Sequence, residues 1–342
     1  MFNAILVDRD YGSVSLQKQE LLKSEYEKNG IYLSLHHFKS EKELIETCVD
    51  ADALLCTGNP AITENVINSL PNLKLVQRFG IGVNSIDLKA ATRNGVTVLN
   101  MPGFCIKELA VHATSLILAL LRNTAYYDRE IRKYSWPKAK YFKPEDLSDL
   151  TVGLYGFGGS AKELYKIVHG GFGSKFIVCD PYVNSSVLNE YDIELVTFDE
   201  MLEKSDIISL NVPLTEETRG IFNIDTFKKM KDTSMIINIA RGELIKEDDL
   251  VYALENSLIR FAGLDVFETE PLKNESKLRN MDNVVLTCHS AFYGVKSESN
   301  QISFANELVK KALIDNEVPI YFVANKDVIG KSKFNFIEGG LK

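Results

Sequence analysis

The stretch TVGLYGFGGSA at residues 151–161 decides the fold of this chain, because a strand-like run enters a glycine turn and leaves it with helical periodicity. Its glycines and final alanine form the pattern GxGxxA. Gly156 permits a tight turn, Gly158 lets the backbone approach a pyrophosphate, and Ala161 allows the helix to pack closely on the strand. The stretch therefore predicts the first strand, turn and helix of a dinucleotide-binding sheet.

An acid at the end of the next strand supports this interpretation. The strand-like run at 176–179 ends in Asp180, and an acid about 20 residues beyond the turn accepts the ribose hydroxyls of a bound dinucleotide. The N–H groups near Gly159 and Ser160, at the start of the helix, form the matching anion site. Because no arginine stands beside Asp180 to pair a 2′-phosphate, the predicted cofactor is NAD and not NADP. A glycine turn in a sheet protein that binds no nucleotide is the alternative.

Short apolar runs rich in Val, Ile and Leu alternate with stretches of helical period along most of the chain. Strands separated by helices pair in parallel with right-handed crossovers, which buries the sheet on both faces. The predicted class is therefore α/β, with two doubly wound parallel-sheet domains, the first flavodoxin-like and the second of the Rossmann type. Strands are predicted near residues 2–7, 31–37, 52–56, 74–78 and 96–99, and near 151–155, 176–179, 193–196, 206–212, 234–239, 261–266 and 284–288.

Helices are predicted in the intervals, and two segments carry more specific expectations. The run 105–134 has helical period throughout and ends before Trp136 and Pro137, where proline stops helical propagation, so one long helix is predicted. The tail 326–342 has little periodicity and is expected to be loosely held.

Charge and cysteine usage exclude several classes of protein. The 342 residues include 39 Lys and Arg against 47 Asp and Glu, a net charge of −8, which disfavours binding to nucleic acid. The five cysteines are odd in number and widely spaced without a CxxC pair, so no metal site is predicted and a reducing cytoplasm fits best. The N-terminus lacks a signal-peptide pattern, and the apolar run 109–121 is too short to cross a bilayer, so no membrane partner is predicted.

Three ionisable residues follow the ends of predicted strands in the second series. Arg241 comes after the run NIA, Glu270 after LDVFET, and His289 after LTC. Because the carboxyl ends of parallel strands line one crevice, we expect these side chains to converge. Reduction of a ketone needs a proton donor and cationic groups beside the developing alkoxide, and this set supplies both. Taken singly, Arg241 is equally well explained as a strand-end cap and Glu270 as a solvated loop acid.

Several further motifs agree with one family. The segments are RFGIGVNSID at 78–87, CIKELAVHA at 105–113, VPLTEET at 212–218 and HSAFY at 289–293. With the two cofactor elements, they resemble the D-isomer-specific 2-hydroxyacid dehydrogenase family from about residue 50 to residue 320. The branch they are most similar to contains phosphoglycerate-dehydrogenase-like enzymes and C-terminal-binding proteins.

The resemblance implies a domain arrangement and an oligomeric state. Residues 1–103 together with 294–330 would form the substrate domain, and residues 104–293 an inserted Rossmann domain that binds NAD. The active site would lie in the cleft between the two domains. A homodimer would form through the long helix 105–134.

The resemblance also implies a role for each site residue. Arg241 would hold the substrate carboxylate and polarise the 2-oxo group, and the N–H groups of Ile81 and Gly82 would bind the carboxylate from its other side. His289 would exchange the proton, with Glu270 orienting it and stabilising its charge. The cofactor-binding residues implied are Gly156, Gly158, Gly159, Ser160, Asp180, Val212, Pro213, Thr218, Ile239, Ala240 and Asp265.

Two residues near this set are expected to be structural. His112 lies in an apolar helix, so a packing or interdomain role is expected, and Cys288 is expected to be an inert buried thiol. Departures from the family pattern include Gly159, where many relatives carry arginine, and Cys288, where they carry proline. None of these departures removes a proton-transfer group.

Two functions from different classes remain. The first is an NAD-dependent dehydrogenase that transfers a hydride between nicotinamide and a small 2-hydroxy or 2-oxo acid. Phosphoglycerate, glyoxylate, hydroxypyruvate, pyruvate and bulkier oxo acids are all open as substrates. The alternative is a catalytically idle, NAD(H)-sensing binding protein resembling the C-terminal-binding proteins. The acidic charge and the lack of a long disordered tail favour the enzyme.

Overall fold

The computed structural model describes residues 1–7, 16–137 and 144–340. The chain divides into two compact units, Met1–Phe104 with Val295–Lys342, and Cys105–Gly294. The sequence pattern predicts the first helix over 13–28, and positions 13–15 of that prediction lie outside the described residues.

The first unit is built on a parallel sheet of five strands in the order β2-β1-β3-β4-β5, which is the flavodoxin order. Its strands are β1 (Phe2–Leu6), β2 (Ile31–Leu35), β3 (Ala53–Cys56), β4 (Leu75–Arg78) and β5 (Thr97–Leu99). The helices between them are α1 (Leu16–Lys28), α2 (Glu41–Cys48), α3 (Glu64–Ser69) and α4 (Leu88–Arg93). Asp87 caps α4 by accepting a hydrogen bond from the Ala90 N–H at 2.8 Å, as an N-cap aspartate does.

The second unit is built on a parallel sheet of seven strands in the order β12-β11-β10-β9-β6-β7-β8. Its strands are β6 (Thr151–Tyr155), β7 (Lys175–Cys179), β8 (Ile193–Leu195), β9 (Ile207–Leu210), β10 (Met235–Asn238), β11 (Phe261–Leu264) and β12 (Val284–Leu286). Its helices are α5 (Ile106–Leu121), α6 (Thr124–Arg132), α7 (Gly159–Phe172), α8 (Ser185–Leu188), α9 (Phe198–Lys204), α10 (Ile224–Phe227) and α11 (Glu247–Glu255). The strand order reverses direction between β6 and β9, which is where ligands bind in open α/β sheets.

Helices cover both faces of this second sheet. One apolar cluster joins the sheet to α5 and α7, and a second joins it to α9 and α11. The strands between them are almost entirely buried, as expected of parallel strands that lack a solvated face. The predicted fold class, α/β with two doubly wound parallel sheets, is confirmed.

The prediction of one helix over 105–134 is wrong. The helix α5 ends at Leu121 and α6 starts at Thr124, because Asn123 adopts a left-handed conformation with φ of 53°. Asparagine tolerates this conformation better than most residues, so the apolar period continues in the sequence while the helix axis is broken. None of the helices in the described ranges is long and apolar enough to span a membrane.

The expectation of a loosely held tail is also wrong for residues 326–340. Beyond α12 (Val295–Lys310), the strand β13 (Glu317–Pro319) pairs in parallel with β14 (Asn335–Ile337). Asn325 accepts a hydrogen bond from Val98 N–H at 2.9 Å and donates to Val96 O at 2.9 Å, while Val328 is fully buried. The segment is therefore fastened to the edge of the first sheet.

Candidate functional site

The glycine turn after β6 lies at the point where the strand order reverses. A β-carbon at Gly156 would lie 2.8 Å from Val212 Cγ1 and 2.9 Å from Asn211 O, and the φ of Gly156 is 94°. Only glycine satisfies both the close approach and the positive φ. At Gly158, by contrast, a β-carbon would meet no atom within 4 Å, so the turn borders open space. Gly158 is also the N-cap of α7 and supplies no side-chain cap.

Asp180 is positioned by the backbone on both sides of its strand end. Its Oδ2 accepts a hydrogen bond from Phe157 N–H at 2.8 Å, inside the glycine turn, and its Oδ1 accepts one from Tyr182 N–H at 2.8 Å. The structure thus brings the acid and the turn together, as the spacing predicted. Gly159 and Ser160 form the first turn of α7, and a β-carbon at Gly159 would lie 2.7 Å from Ile106 Cδ1.

The segment after β9 forms a tight turn. The Thr218 hydroxyl donates to Pro213 O at 2.9 Å and accepts from Thr215 N–H at 2.8 Å, and the Thr215 hydroxyl accepts from Thr218 N–H at 3.2 Å. These reciprocal bonds fix the turn that follows Val212, the residue whose side chain lies beside Gly156. The motif pointed to Thr218, whereas the matching role of Thr215 was missed.

The segment after β10 depends on a residue that sequence reasoning did not select. Asn238 is fully buried; its Oδ1 accepts from Ala240 N–H at 3.1 Å and its Nδ2 donates to Arg241 O at 2.8 Å. This amide fixes the backbone from Ile239 to Arg241. Burial lowers the pKa of Arg241, while the nearby carboxylates of Glu243 and Glu270 act in the opposite direction. The guanidinium of arginine stays charged at neutral pH even so.

His289 and Glu270 form a direct pair. The His289 Nδ1 lies 2.7 Å from Glu270 Oε2, and Glu270 Oε1 accepts from Phe267 N–H at 3.0 Å. Burial would by itself raise the pKa of Glu270, but the hydrogen bond and charge of His289, together with the Phe267 N–H, bring that pKa below its ordinary value. The carboxylate is therefore charged at neutral pH and engages the Nδ1 side of the imidazole, which leaves Nε2 as the nitrogen for proton exchange.

Asp265, which follows β11, is fully buried and bonded within the protein. Its Oδ1 accepts from the Thr287 hydroxyl at 2.6 Å and from Ser290 N–H at 2.9 Å, and its Oδ2 accepts from Ala291 N–H at 2.9 Å. The backbone N–H of His289 donates to Asp265 O at 2.7 Å. The carboxylate thus holds the segment that carries His289, and no spacing pattern in the sequence predicts this contact.

In the first unit, Ile81 and Gly82 lie in a turn wrapped by Arg78. The guanidinium donates to Gly82 O at 3.0 Å and to Phe79 O at 2.8 Å, and Asn100 Nδ2 donates to Ile81 O at 2.7 Å. The turn therefore uses its carbonyls internally. In the part of the chain that the structure describes, the N–H groups of Ile81 and Gly82 have no protein acceptor.

The cysteines differ from expectation at one position. Cys288 is exposed, so the prediction of a buried thiol is wrong there, while the other four cysteines are buried and all five are free. The loop from Thr287 to Ser290 lies at the surface end of β12, which explains the exposure. Across the described ranges, no cluster of three or more His, Cys, Asp or Glu side chains could hold a metal ion.

Comparison with known proteins places this site in a family. The model of the D-isomer specific 2-hydroxyacid dehydrogenase NAD binding domain matches residues 114–291, which is most of the second unit. The chain belongs to the D-isomer specific 2-hydroxyacid dehydrogenase family, and NAD is the cofactor of this domain.

Two curated relatives illustrate the range of the family. The chain is 36% identical over 286 residues to the hydroxypyruvate reductase of Thermotoga maritima, covering 83% of this chain and 90% of that protein. It is 32% identical over 311 residues to the D-3-phosphoglycerate dehydrogenase of Archaeoglobus fulgidus, covering 91% of this chain and 58% of that protein. The chain spans about half the length of the curated phosphoglycerate dehydrogenases that it matches.

A solved structure agrees with the observed architecture. The glyoxylate reductase from Paecilomyes thermophila superposes with a TM-score of 0.81 at 25% sequence identity, covering 92% of this chain and 95% of that chain.

The residues of the second unit fit the dinucleotide that the family binds. Open space at Gly158, the uncapped start of α7 and the backbone-bonded Asp180 are the three features that a pyrophosphate and an adenosine ribose require. A β-carbon at Gly156 would block the approach of β9 to this turn. The turn, Asp180 and the segments after β9 and β10 would hold the cofactor at the reversal point of the sheet.

Proposed function

We propose that this protein is an NAD-dependent dehydrogenase that interconverts a small 2-oxo acid and its 2-hydroxy acid. The observation that carries this proposal is the 2.7 Å contact between His289 Nδ1 and Glu270 Oε2, at the same edge of the sheet as the glycine turn. A histidine held by a carboxylate through one nitrogen presents the other to a substrate as an acid or a base.

The proton transfer follows from the state of this pair. In the reductive direction, the imidazolium Nε2–H of His289 gives its proton to the oxygen at C2 of the substrate while C2 receives a hydride. NADH, when bound, would supply that hydride, with NAD⁺ as the oxidised product. Glu270, charged at neutral pH because its pKa is lowered, stabilises the imidazolium before transfer. In the oxidative direction, the neutral imidazole takes the hydroxyl proton.

Arg241 supplies the positive charge that the reaction needs. Its backbone is fixed by Asn238 directly after β10, and a guanidinium matches a carboxylate in shape and charge. It would bind the substrate carboxylate and stabilise the alkoxide that develops at C2. The N–H groups of Ile81 and Gly82 are proposed as further donors to the substrate carboxylate. Asp265 is not proposed as a direct cofactor ligand, because its carboxylate is fully buried and accepts hydrogen bonds within the protein through both oxygens.

The experiment is a spectrophotometric assay of NADH oxidation with hydroxypyruvate, glyoxylate, pyruvate and 3-phosphohydroxypyruvate as substrates. We expect turnover of at least one substrate and its loss in His289→Gln, with NADH binding retained in both proteins. The exposed His37→Gln is the matched control and should keep full activity. NADH binding without turnover on any 2-oxo acid would contradict the dehydrogenase and support the NAD(H)-sensing alternative.

We further propose a homodimer formed through the segment 105–134. This segment and the residues after it expose large apolar side chains: Val111 is 59% exposed, Ile131 46%, Tyr134 101% and Trp136 81%. A dimer would remove these surfaces from water. Sedimentation should give a dimer mass for the natural protein and a monomer mass for Val111→Asp, with the exposed Val295→Asp as matched control. A monomeric natural protein would contradict the proposal.

We infer a cytoplasmic location from the cysteines. All five are free and four are buried, which suits a reducing compartment. Fractionation of cells that express the protein should recover it with cytosolic markers, and recovery in an oxidising compartment would contradict the inference.

A further inference from the structure

His112 lies in α5, far from His289 in sequence, yet it contacts the network that holds the His289 segment. Its Nε2 lies 3.0 Å from Thr287 Oγ1 and 3.5 Å from Asp265 Oδ1. Thr287 immediately follows β12 and stands two positions before His289. An apolar helix therefore contributes one polar side chain to the base of the loop that carries the proton-transfer residue.

The hydrogen-bond inventory determines the direction of these contacts. A threonine hydroxyl has one proton to donate, and the 2.6 Å contact assigns that proton to the Asp265 carboxylate, which can only accept when ionised. Toward His112, the Thr287 oxygen must then accept. His112 therefore carries a proton on Nε2, and the chain of donors runs from His112 through Thr287 to Asp265.

Because Asp265 is buried, its carboxylate depends on these hydrogen bonds. The Asp265 side chain is 1% exposed and that of His112 is 19% exposed. A buried carboxylate is stable only while its oxygens are paired or hydrogen-bonded, since water cannot replace a lost donor there. Loss of the Thr287 hydroxyl would remove one donor from the carboxylate, and loss of His112 would remove the donor that orients this hydroxyl. In either case the surrounding backbone would rearrange to satisfy the buried groups.

The backbone that would rearrange is the one that aims His289. Asp265 accepts hydrogen bonds from the N–H groups of Ser290 and Ala291 through its side chain, and from His289 N–H through its carbonyl. His289 itself has a φ of 53°, a left-handed conformation that a non-glycine residue holds only when its surroundings impose it. The direction of the imidazole thus depends on the bonds that Asp265 makes.

We propose that His112 is a positioning residue for the proposed reaction, acting through Thr287 and Asp265 to hold the backbone of His289. This inference rests on the proposed function, because His289 is its endpoint. The His112 imidazole donates through Nε2, which lies 3.0 Å from Thr287 Oγ1. Glutamine is the replacement whose side-chain N–H can reach a similar position.

The test combines steady-state kinetics with a readout that needs no cofactor. His112→Phe removes the imidazole donor and Thr287→Val removes the hydroxyl donor. His112→Gln and Thr287→Ser each keep a donor at the same position. Thr114→Val is the matched control, because the Thr114 hydroxyl is also buried in α5 but donates to Ala110 O at 2.8 Å, apart from this network. The second readout is the set of imidazole ¹H–¹⁵N signals of the free protein, with His289 assigned from their loss in His289→Gln.

We expect kcat to fall about tenfold in His112→Phe and in Thr287→Val, since small displacements of a reacting group cost this much or more. The KM for the 2-oxo acid and the affinity for NADH should stay near their natural values. His112→Gln and Thr287→Ser should restore most of kcat, and Thr114→Val should not change it. The double variant His112→Phe with Thr287→Val should be no slower than the slower single variant, because both act on one network.

The two proposals fail in distinguishable ways. If the natural protein reduces no 2-oxo acid, the proposed function fails, and the positioning role is judged by the imidazole signals alone. Those signals of His289 should shift in His112→Phe and Thr287→Val and stay in place in Thr287→Ser and Thr114→Val. Unchanged His289 signals in both donor-free variants, or multiplicative losses of kcat in the double variant, would overturn the positioning role.

Discussion

The second unit contains two histidine–carboxylate pairs that differ in exposure and in what surrounds the carboxylate. In the pair of His289 and Glu270, the side chains are 44% and 35% exposed and the Nδ1–Oε2 distance is 2.7 Å. In the pair of His112 and Asp265, they are 19% and 1% exposed, and Thr287 lies between them. Both carboxylates follow the same strand, β11, within a few residues of each other.

The difference shows how the same two chemical groups serve different ends. One oxygen of Glu270 contacts His289 and the other accepts a hydrogen bond from a single backbone N–H, so the imidazole stays open to solvent on its far side. Both carboxylate oxygens of Asp265 accept hydrogen bonds from the segment between Thr287 and Ala291. An exposed pair can exchange a proton with a ligand, whereas a buried pair with several donors fixes backbone geometry.

The largest expected effect comes from removing the exposed histidine. His289→Gln keeps a polar side chain but loses the acid and base, so kcat should fall about a thousandfold, within the range of general acid–base catalysis. NADH affinity, measured by fluorescence titration, should stay unchanged. Full turnover in this variant would contradict the proposal that the exposed pair transfers the proton.

The second effect concerns the carboxylate of the exposed pair. Glu270→Gln removes the charge that stabilises the imidazolium, so kcat for reduction should fall about a hundredfold. A kcat equal to that of the natural protein would show that the charge of Glu270 does not support proton transfer.

The pH dependence of stability tests the role of the Glu270 charge independently of kinetics, and its sign follows from the pKa of this group. The pKa of Glu270 is lowered in the folded protein from the ordinary value of 4.5. Its charge therefore stabilises the fold above that ordinary value, and this contribution is lost as the pH falls through the lowered folded value. The difference in thermal midpoint between the natural protein and Glu270→Gln should be present at neutral pH and vanish in acid.

The third effect concerns the buried carboxylate. In Asp265→Asn, an amide N–H faces the N–H of Ser290 or Ala291, so at least one buried donor loses its acceptor. The free energy of unfolding of the second unit should fall by about 2 kcal/mol, measured by denaturant titration, and kcat should fall about tenfold because the His289 backbone is released. A stability equal to that of the natural protein would mean that the network does not hold this segment.

The smallest effect is expected at Cys288, which directly precedes His289 in sequence. Its side chain is exposed, so Cys288→Ser should keep kcat within about twofold, as surface substitutions away from a network do. A loss comparable to that of Glu270→Gln would place the thiol in the reaction.

Much of the fold was accessible from local pattern. The twelve strands of the two large sheets were predicted within about two residues of their ends, because a fully buried parallel strand is an unbroken apolar run. The short strands β13 and β14 were missed, since three residues carry no periodicity. The break at Asn123 was missed because an apolar period does not record a left-handed residue.

The site divides in the same way. The sequence pointed to residues that follow strands, since a parallel sheet brings all carboxyl ends to one edge, and the pairing of His289 with Glu270 agrees with that expectation. It did not point to Asn238 as the residue that fixes the Arg241 backbone. A buried asparagine that bonds to the neighbouring backbone is not marked by any spacing or motif in the sequence.

The sequence by itself determined the strand–turn–helix of the glycine motif, the acid at the end of β7, the family, and the three ionisable residues after β10, β11 and β12. These depend on spacing along the chain, which folding preserves. Only the tertiary structure decided that His112 reaches Thr287 across 175 positions, that Asp265 is buried and Glu270 exposed, and that the tail is fastened beside β5. Such contacts depend on which surfaces two distant elements present to each other, and that is fixed by the packing of the whole unit.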